Sequence, residues 1–153
     1  MERHPRAAAS GSDIERRRDK LEPFIAHYSD FEGARGLSVL EIGVGMATDF
    51  VRFACAGARM TGIDLTQATV GHARRRLALE GLQADLRVAD AEALPFDDAT
   101  FDRVHSWRAL HHSPNTRQAV SEAIRVLMTG PVVHDDHLVI LQGLRFQLGH
   151  AVR

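Results

Sequence analysis

The sequence from Val39 to Asp49 reads VLEIGVGMATD, and this stretch decides the predicted fold. Its first four residues contain the apolar run that is typical of a strand covered on both faces. Gly43 and Gly45 allow a tight turn and a close approach of the backbone to a ligand. A helix that begins at Thr48 would direct its free amide groups and the positive end of its dipole at that ligand. The stretch therefore predicts a nucleotide-type binding site.

An acid follows at the spacing that such a site requires. Asp64 ends a second short apolar run, TGID, about 20 residues after the glycine pair, and dinucleotide-type folds place an acid at about this distance. Glycines also occur at ordinary turns between a strand and a helix. The two features together favour a binding site over a structural turn.

The chain then alternates between the periodicities of strands and helices. This alternation implies right-handed crossovers and a parallel, doubly wound sheet with helices on both faces. Because ligands bind at the carboxyl ends of the strands in such sheets, we expect Glu41, Asp64, Asp90 and Ser106 at one rim. The predicted strands are 39–42, 59–64, 84–88 and 101–106. The first predicted helix is 48–56. The second is capped by Thr66, ends at Gly81 and has an apolar face of Val70, Ala73, Leu77 and Ala78. The third opens at Ser113-Pro114 and extends to Leu127.

Composition indicates a soluble globular protein. The chain has 153 residues, 44% hydrophobic and 25% charged, with a formal net charge of -1. This charge predicts no general affinity for nucleic acid or acidic membranes. No apolar run is long enough to span a bilayer, and the N-terminus lacks the apolar core of a secretion signal. The single cysteine, Cys55, fits a reducing compartment, which predicts a cytoplasmic location.

The N-terminal residues predict a short tail followed by a helix. Residues 1–12 lack periodicity and are expected to be disordered, and residues 13–153 form one predicted domain. Ser12 is the expected N-cap of the helix 13–21. Acidic residues flank the arginine triplet at 16–18, so we expect a solvated helix face there and not a nucleic-acid patch.

Four ordered blocks of this sequence resemble the class I S-adenosylmethionine-dependent methyltransferases, and the match is closest to the small-molecule branch of that family. The resemblance implies a Rossmann-like sheet and S-adenosyl-L-methionine as cofactor. The four blocks are VLEIGVG at 39–45, GIDLT at 62–66, VADAEALPF at 88–96, and FD at 101–102 joined to LHHSP at 110–114.

The resemblance also assigns roles around the first strand. Glu41 is similar to the acid that closes this strand beneath the methionine part of the cofactor. Gly43 and Gly45 would let the backbone lie against the cofactor. Asp64 would accept hydrogen bonds from both ribose hydroxyls, and Leu65 would lie against the adenine. A carboxylate suits two hydroxyls because it is an acceptor-only group.

Further roles fall on the third and fourth strands. Asp90 resembles the acid that binds the adenine amino group, with the backbone of Ala91 beside it. Ser106 and Trp107 occupy the position where the fourth strand opens toward the methyl group. Methyl transfer from this cofactor can rest on positioning and desolvation without a metal. A general base is needed only if the acceptor atom must lose a proton, so no catalytic residue is assigned.

Three departures from the family pattern stand out. Ala47 replaces a common glycine, and Arg108 replaces a small residue near the substrate entrance, where it would contact an anionic substrate or block the site. After Leu127 the sequence no longer follows the family. The resemblance therefore predicts a chain truncated at its C-terminus, with an incomplete sheet. The stretch 138–148 fits either a strand or a helix.

For three other patterns, a structural interpretation is favoured over a chemical one. The sequence HDDH at 134–137 offers metal-ligand types, but an exposed turn is favoured because no further ligand cluster supports it. His111 or His112 could be a base, although a role in shaping the loop is favoured. Cys55 is expected to be a small core residue.

These patterns leave three functional hypotheses. The first is methyl transfer to an unidentified small molecule, with an unknown oligomeric state. The second is S-adenosylmethionine binding without catalysis, because of the C-terminal departure. The third is an NAD-dependent oxidoreductase, which Thr48 disfavours because it stands where G-x-G-x-x-G requires a glycine.

Overall fold

The computed structural model describes residues 15–128. The tail at 1–12, Ser12, the HDDH sequence and the stretch 138–148 lie outside this range. The described strands are β1 Ser38–Ile42, β2 Arg59–Asp64, β3 Asp85–Val88 and β4 Arg103–His105. The helices are α1 at 15–21, α2 Phe24–Ser29, α3 Thr48–Ala56, α4 Gln67–Leu79 and α5 Thr116–Val126, with 3-10 helices at Glu32–Ala34 and Leu110–His112.

The four described strands form one sheet in the order β3-β2-β1-β4. Every pairing is parallel, as the alternating sequence predicts. Glu41 on β1 lies opposite Gly62 on β2 and opposite His105 on β4. Because all four strands run in the same direction, their carboxyl ends form one rim. The glycine turn, which comprises residues 43–47 between β1 and α3, lies at the centre of this rim.

Side chains alternate between the two faces of β1 and bury two separate cores. Val39 packs in a cluster with α3 and α4, which includes Phe50 and Val70. Leu40 packs in the opposite cluster, which includes Ala119 of α5. Helices therefore cover both faces of the sheet, and the doubly wound Rossmann-like architecture is confirmed. Within residues 15–128, no helix combines the length and the apolar character that crossing a membrane would require.

Two strands are shorter than predicted. Strand β3 begins at Asp85 and not at residue 84. Strand β4 spans three residues, and Phe101 forms only an isolated bridge to Leu127. Asp102 interrupts the strand because its Oδ2 accepts two hydrogen bonds from Ser38. The amide of Ser38 donates at 2.7 Å and the hydroxyl of Ser38 donates at 2.8 Å. This contact ties the beginning of β1 to the segment that precedes β4.

Two helix positions and one helix start differ from the prediction, since α5 begins at Thr116 and not at Ser113. Thr66 caps α4 as expected, accepting from the amide of Thr69 at 3.2 Å. Ala78, however, is exposed, because it is one position past the buried Leu77 and therefore rotated about 100° away from the core. Cys55 is also exposed, so its assignment to the core was wrong. It is two positions past Phe53, on the opposite side of α3.

Candidate cofactor-binding site

The glycine turn between β1 and α3 adopts the left-handed backbone conformation at three positions. Gly43, Gly45 and Ala47 have φ values of 83°, 48° and 57°. The amide of Gly43 donates to the carbonyl of Ile63 at 2.9 Å, which continues the pairing of β1 with β2 past the end of the strand. Glycine reaches such φ values without strain, whereas Ala47 carries a penalty of about 1 kcal/mol.

The two glycines are required for different reasons. A Cβ atom added at Gly43 would lie 2.2 Å from the Cβ atom of Ala109, so this glycine permits the turn to pack against the segment after β4. A Cβ atom added at Gly45 would meet nothing within 4 Å. Gly45 therefore lies where the turn borders open space at the rim, as the approach of a ligand requires.

Asp64 lies at the adjacent strand end and contacts the turn directly. The amide of Gly45 donates to Oδ2 of Asp64 at 3.1 Å. The two motifs that the sequence singled out are therefore joined by a hydrogen bond at the centre of the rim. An ionised carboxylate accepts several hydrogen bonds, so this contact leaves Asp64 with the capacity to accept from ligand hydroxyls.

The predicted adenine-side residues follow β2 and β3. Leu65 is exposed at 68% of its surface. Asp90 is exposed, and its Oδ1 accepts from the amide of Glu92 at 2.9 Å. Ala91 is partly buried against the core on the α5 side of the sheet. The amide of Ala89 donates to the carbonyl of Asp64 at 3.0 Å, which holds this loop beside the end of β2.

Ser106 follows β4 and links two strand ends. Its buried hydroxyl donates to the carbonyl of Ile42 at 3.0 Å. Ser106 therefore lies on the predicted rim, where it fixes β4 against β1. Its contact with the cofactor stays a prediction.

A buried polar cluster lies at the end of β1 on the face covered by α3. Glu41, Asp49 and His105 are exposed at 4%, 3% and 0%. Nε2 of His105 donates to Oδ2 of Asp49 at 3.1 Å, because an ionised carboxylate can only accept. Arg18 of α1 binds the same Asp49 oxygen. Oε2 of Glu41 and Oδ1 of Asp49 have no hydrogen-bond partner among the described residues.

The two carboxyls of this cluster differ in pKa. Burial raises the pKa of Glu41 well above its ordinary value, and the negative charge of Asp49 adds to this effect. Burial also acts to raise the pKa of Asp49, but the hydrogen bond from His105 and the contact with Arg18 outweigh it, so the pKa of Asp49 is lowered. Asp49 is therefore the ionised member of the pair, and Glu41 is the member that retains a proton more readily.

The same cluster has the ligand types of a metal site. Glu41, Asp49 and His105 each offer one ligand atom, and these atoms lie within 4.8 Å of one another. Two carboxylates and an imidazole suit divalent transition metals. The guanidinium of Arg18, however, lies 2.5 Å from Oδ2 of Asp49. Because this positive charge already balances the carboxylate, the cluster fits a buried ion-pair network better than a cation site.

The sequence did not identify Arg18, Asp49 and His105 as members of one cluster. Asp49 stood in the opening motif, and Arg18 was assigned to a solvated helix face. Arg16 and Arg17 are exposed as predicted, but that assignment was wrong for Arg18, whose side chain is exposed at only 17%. A triplet of identical residues gives no local indication of which one faces the protein.

His111 and His112 lie in the 3-10 helix after β4. Both are exposed, and their ring centroids are 3.9 Å apart. Partial burial lowers the pKa of His111, and the neighbouring His112 and Arg108 contribute. The pair therefore borders the rim, and its role as a base or as a loop element stays open.

Comparisons with known proteins identify the family. The family model described as "Methyltransferase domain" matches residues 39–130. A sterol 24-C-methyltransferase of Gibberella zeae is 31% identical over 129 residues, covering 81% of this chain and 33% of that protein. A phthiotriol/phenolphthiotriol dimycocerosates methyltransferase of Mycobacterium tuberculosis is 39% identical over 97 residues, covering 62% of this chain and 35% of that protein.

Solved structures agree with these relatives. A candidate methyltransferase from Bacillus halodurans has a TM-score of 0.64 and 32% identity, covering 69% of this chain and 47% of that one. The chain spans about a third of the length of the two curated relatives above. The matched range contains the glycine turn and both rim acids, Asp64 and Asp90. The chain therefore belongs to the class I S-adenosylmethionine-dependent methyltransferases, and residues 39–130 match their methyltransferase domain.

Proposed function

We propose that this chain binds S-adenosyl-L-methionine across the carboxyl ends of β1, β2 and β3 and transfers its methyl group to a small molecule. The observation that carries this proposal is the hydrogen bond from Gly45 to Asp64. It brings a backbone turn with open space above it beside an acceptor-only side chain. This combination suits a ligand with a flat base and a ribose that offers two hydroxyl donors.

Each part of the cofactor has a counterpart at the rim. The ribose hydroxyls would donate to Asp64, and the adenine would lie between Leu65 and the loop that carries Asp90 and Ala91. Leu65 supports this position because its exposed side chain offers an apolar surface beside the turn. The methionine part would lie over the glycine turn, above Glu41. The sulfonium methyl would then face the end of β4.

The chemistry requires little more from the protein than positioning. The cofactor supplies an activated methyl group and a neutral leaving group. The rim would hold this methyl in line with the acceptor atom and exclude water from it. An acceptor that must lose a proton would need a base, and His111 and His112 in the 3-10 helix after β4 are the candidates for it.

The two curated relatives support a small-molecule acceptor, since their names refer to a sterol and to phthiotriol and phenolphthiotriol dimycocerosates. Binding of the cofactor without turnover is the second candidate function, because the contacts at the rim within residues 15–128 account for cofactor binding and assign no catalytic group. The NAD-dependent oxidoreductase gains no support from the matched family.

Calorimetry with S-adenosylmethionine, with its demethylated product and with NAD tests the proposal. We expect binding of the first two and no measurable binding of NAD. Failure of both adenosyl ligands to bind would contradict the proposed site. Transfer of a labelled methyl group to a panel of sterols, lipids and other small molecules then separates the two candidates. Labelled product supports the enzyme, and tight binding without any labelled product supports the binding protein.

A further inference from the structure

Helix α1 packs against the domain through a face made of charged residues. The side chains at positions 15, 18, 19 and 22 are partly buried, whereas those at 16, 17, 20 and 21 are exposed. This spacing of three and four residues defines one helical face. Leu21 points away, with 79% of its surface exposed. The contacts of α1 with the domain are therefore largely electrostatic.

Each charged residue of this face has a partner of opposite charge in the domain. Two of these partners lie beside the glycine turn. Asp49 is the second residue of α3, directly after the turn, and Arg76 of α4 contacts the carbonyl of Met46 in the turn. The four ion pairs are Glu15 with Arg76 at 2.5 Å, Arg18 with Asp49 at 2.5 Å, Asp19 with Arg52 at 2.7 Å and Glu22 with Arg108 at 3.0 Å.

Arg76 is the residue that connects this helix to the turn itself. Its Nη1 donates to the carbonyl of Met46 at 2.9 Å and to the hydroxyl of Thr48 at 3.2 Å. Its Nη2 donates to Oε1 of Glu15 at 2.5 Å. One guanidinium thus bridges α1, the last part of the glycine turn and the first residue of α3. The guanidinium reaches these acceptors from two nitrogens, whereas a lysine would have to donate from a single one and is therefore a poor replacement.

We propose that Arg76, held by Glu15, is a positioning residue for the cofactor site. Arg76 fixes the carbonyl of Met46, and Met46 is the neighbour of Gly45, whose amide binds Asp64. Through this chain of contacts, Arg76 and Glu15 set the position of the turn that receives the methionine part of the ligand. The role in ligand binding rests on the proposed function, but the role in holding the turn does not.

The burial of this ion pair distinguishes it from an ordinary surface pair. The side chains of Arg76 and Glu15 are exposed at 15% and 30%. The pair of Arg35 and Glu32 is exposed at 72% and 81% and lies before the start of β1, at the end of the strand opposite the rim. Exposed pairs of that kind contribute little to stability. The Arg35–Glu32 pair therefore provides a matched control, in which a similar charge is removed far from the rim.

The experiment compares Arg76→Lys, Arg76→Met and Glu15→Gln with the control Glu32→Gln. Amide hydrogen exchange on the ligand-free protein reports the order of the turn, and calorimetry reports the dissociation constant for S-adenosylmethionine. We expect faster exchange at Gly45 and Ala47 in the three variants, and affinity weakened about three- to tenfold for the Arg76 variants, since small displacements of positioning groups are costly. Glu32→Gln should match the wild type in both measurements.

Two readouts keep this inference separate from the proposed function. If the wild-type chain binds no S-adenosylmethionine, the proposed function fails, but faster exchange in the ligand-free variants still supports the positioning role. Unchanged exchange at Gly45 and Ala47 in the folded Arg76→Lys and Glu15→Gln variants would overturn that role. If the wild type binds S-adenosylmethionine and the Arg76 variants bind it with the same affinity, the role of Arg76 in cofactor binding is overturned. If Arg76 and Glu15 only stabilised the fold in general, their replacement would lower the melting temperature without a selective change in amide exchange at Gly45 and Ala47.

Discussion

The backbone amide of Gly45 donates a hydrogen bond to Oδ2 of Asp64 at 3.1 Å, although 19 positions separate the two residues in the chain. Gly45 belongs to the turn after β1, and Asp64 is the last residue of β2. The bond therefore fixes the distance between the backbone of the turn and the carboxylate of Asp64. A bound adenosyl ligand would contact both.

Replacing Asp64 by alanine is expected to weaken S-adenosylmethionine binding at least about tenfold. The carboxylate would form charge-assisted hydrogen bonds with the ribose, and each such bond is worth about 1.5 to 3 kcal/mol, where 1.4 kcal/mol corresponds to a factor of ten. Calorimetry measures the affinity, and Asp85→Ala removes an acid of β3 that pairs with Arg87 away from the turn. Equal affinities for wild type and Asp64→Ala would mean that the ribose lies elsewhere.

The two glycines of the turn are expected to tolerate alanine differently. Gly43→Ala places a Cβ atom 2.2 Å from that of Ala109 at a positive φ, so it should cost about 3 kcal/mol or more of unfolding free energy. Gly45→Ala meets no neighbour and should cost about 1 kcal/mol, the penalty for left-handed backbone alone. Urea denaturation compares them.

A second change tests the cause of the Gly43 effect. Combining Gly43→Ala with Ala109→Gly removes the steric conflict and leaves the positive φ in place. The double variant should therefore recover part of the lost stability relative to Gly43→Ala. If it is no more stable than the single variant, the contact with Ala109 does not account for the requirement for glycine.

Glu41→Gln is expected to stabilise the protein at neutral pH. The folded state raises the pKa of Glu41, so the folded protein retains a proton that the unfolded chain has lost. Stability therefore falls as pH rises from the ordinary value of 4.5 toward the raised pKa. Glutamine cannot ionise, so the variant should exceed the wild type in unfolding free energy at pH 7, and this difference should shrink toward pH 4.5.

Asp49→Asn provides the control of opposite sign. The folded state lowers the pKa of Asp49, so its ionisation contributes stability above the ordinary value of 3.8. That contribution is lost as pH falls through the lowered pKa. The asparagine variant should therefore be less stable than the wild type at pH 7. Urea titrations between pH 3 and pH 8 measure both variants, and parallel curves for Glu41→Gln and wild type would contradict a raised pKa of Glu41 in the folded protein.

The Arg108→Gly variant of the protein is expected to be more stable than the Arg108→Ala variant. Arg108 has a φ of 56° and pairs with Glu22 at 3.0 Å. Both substitutions remove this exposed ion pair equally, but only glycine relieves the left-handed conformation. Thermal melts should therefore place Arg108→Gly above Arg108→Ala by roughly 1 kcal/mol. Equal stabilities would show that the backbone at this position carries no penalty.

Local patterns in the sequence predict most of the fold. Helix α3 and strand β2 have the predicted bounds of 48–56 and 59–64, because each combines a clear periodicity with a turn residue at its end. The predicted length of β4 was too large. Asp102, directly before the observed strand, contacts Ser38, which lies 64 positions away in the chain. A periodicity cannot show where such a contact interrupts a strand.

The sequence by itself determined the glycine turn, the acids Asp64 and Asp90, and the parallel sheet that brings them to one rim. These features depend on residue types and short spacings that any copy of the chain carries before it folds. Only the tertiary structure decided that Arg18 and His105 meet at Asp49 and that Arg76 binds the turn. Those contacts depend on the register of β1 with β4 and on the rotation of α1 about its axis, which side-chain packing across the whole domain sets.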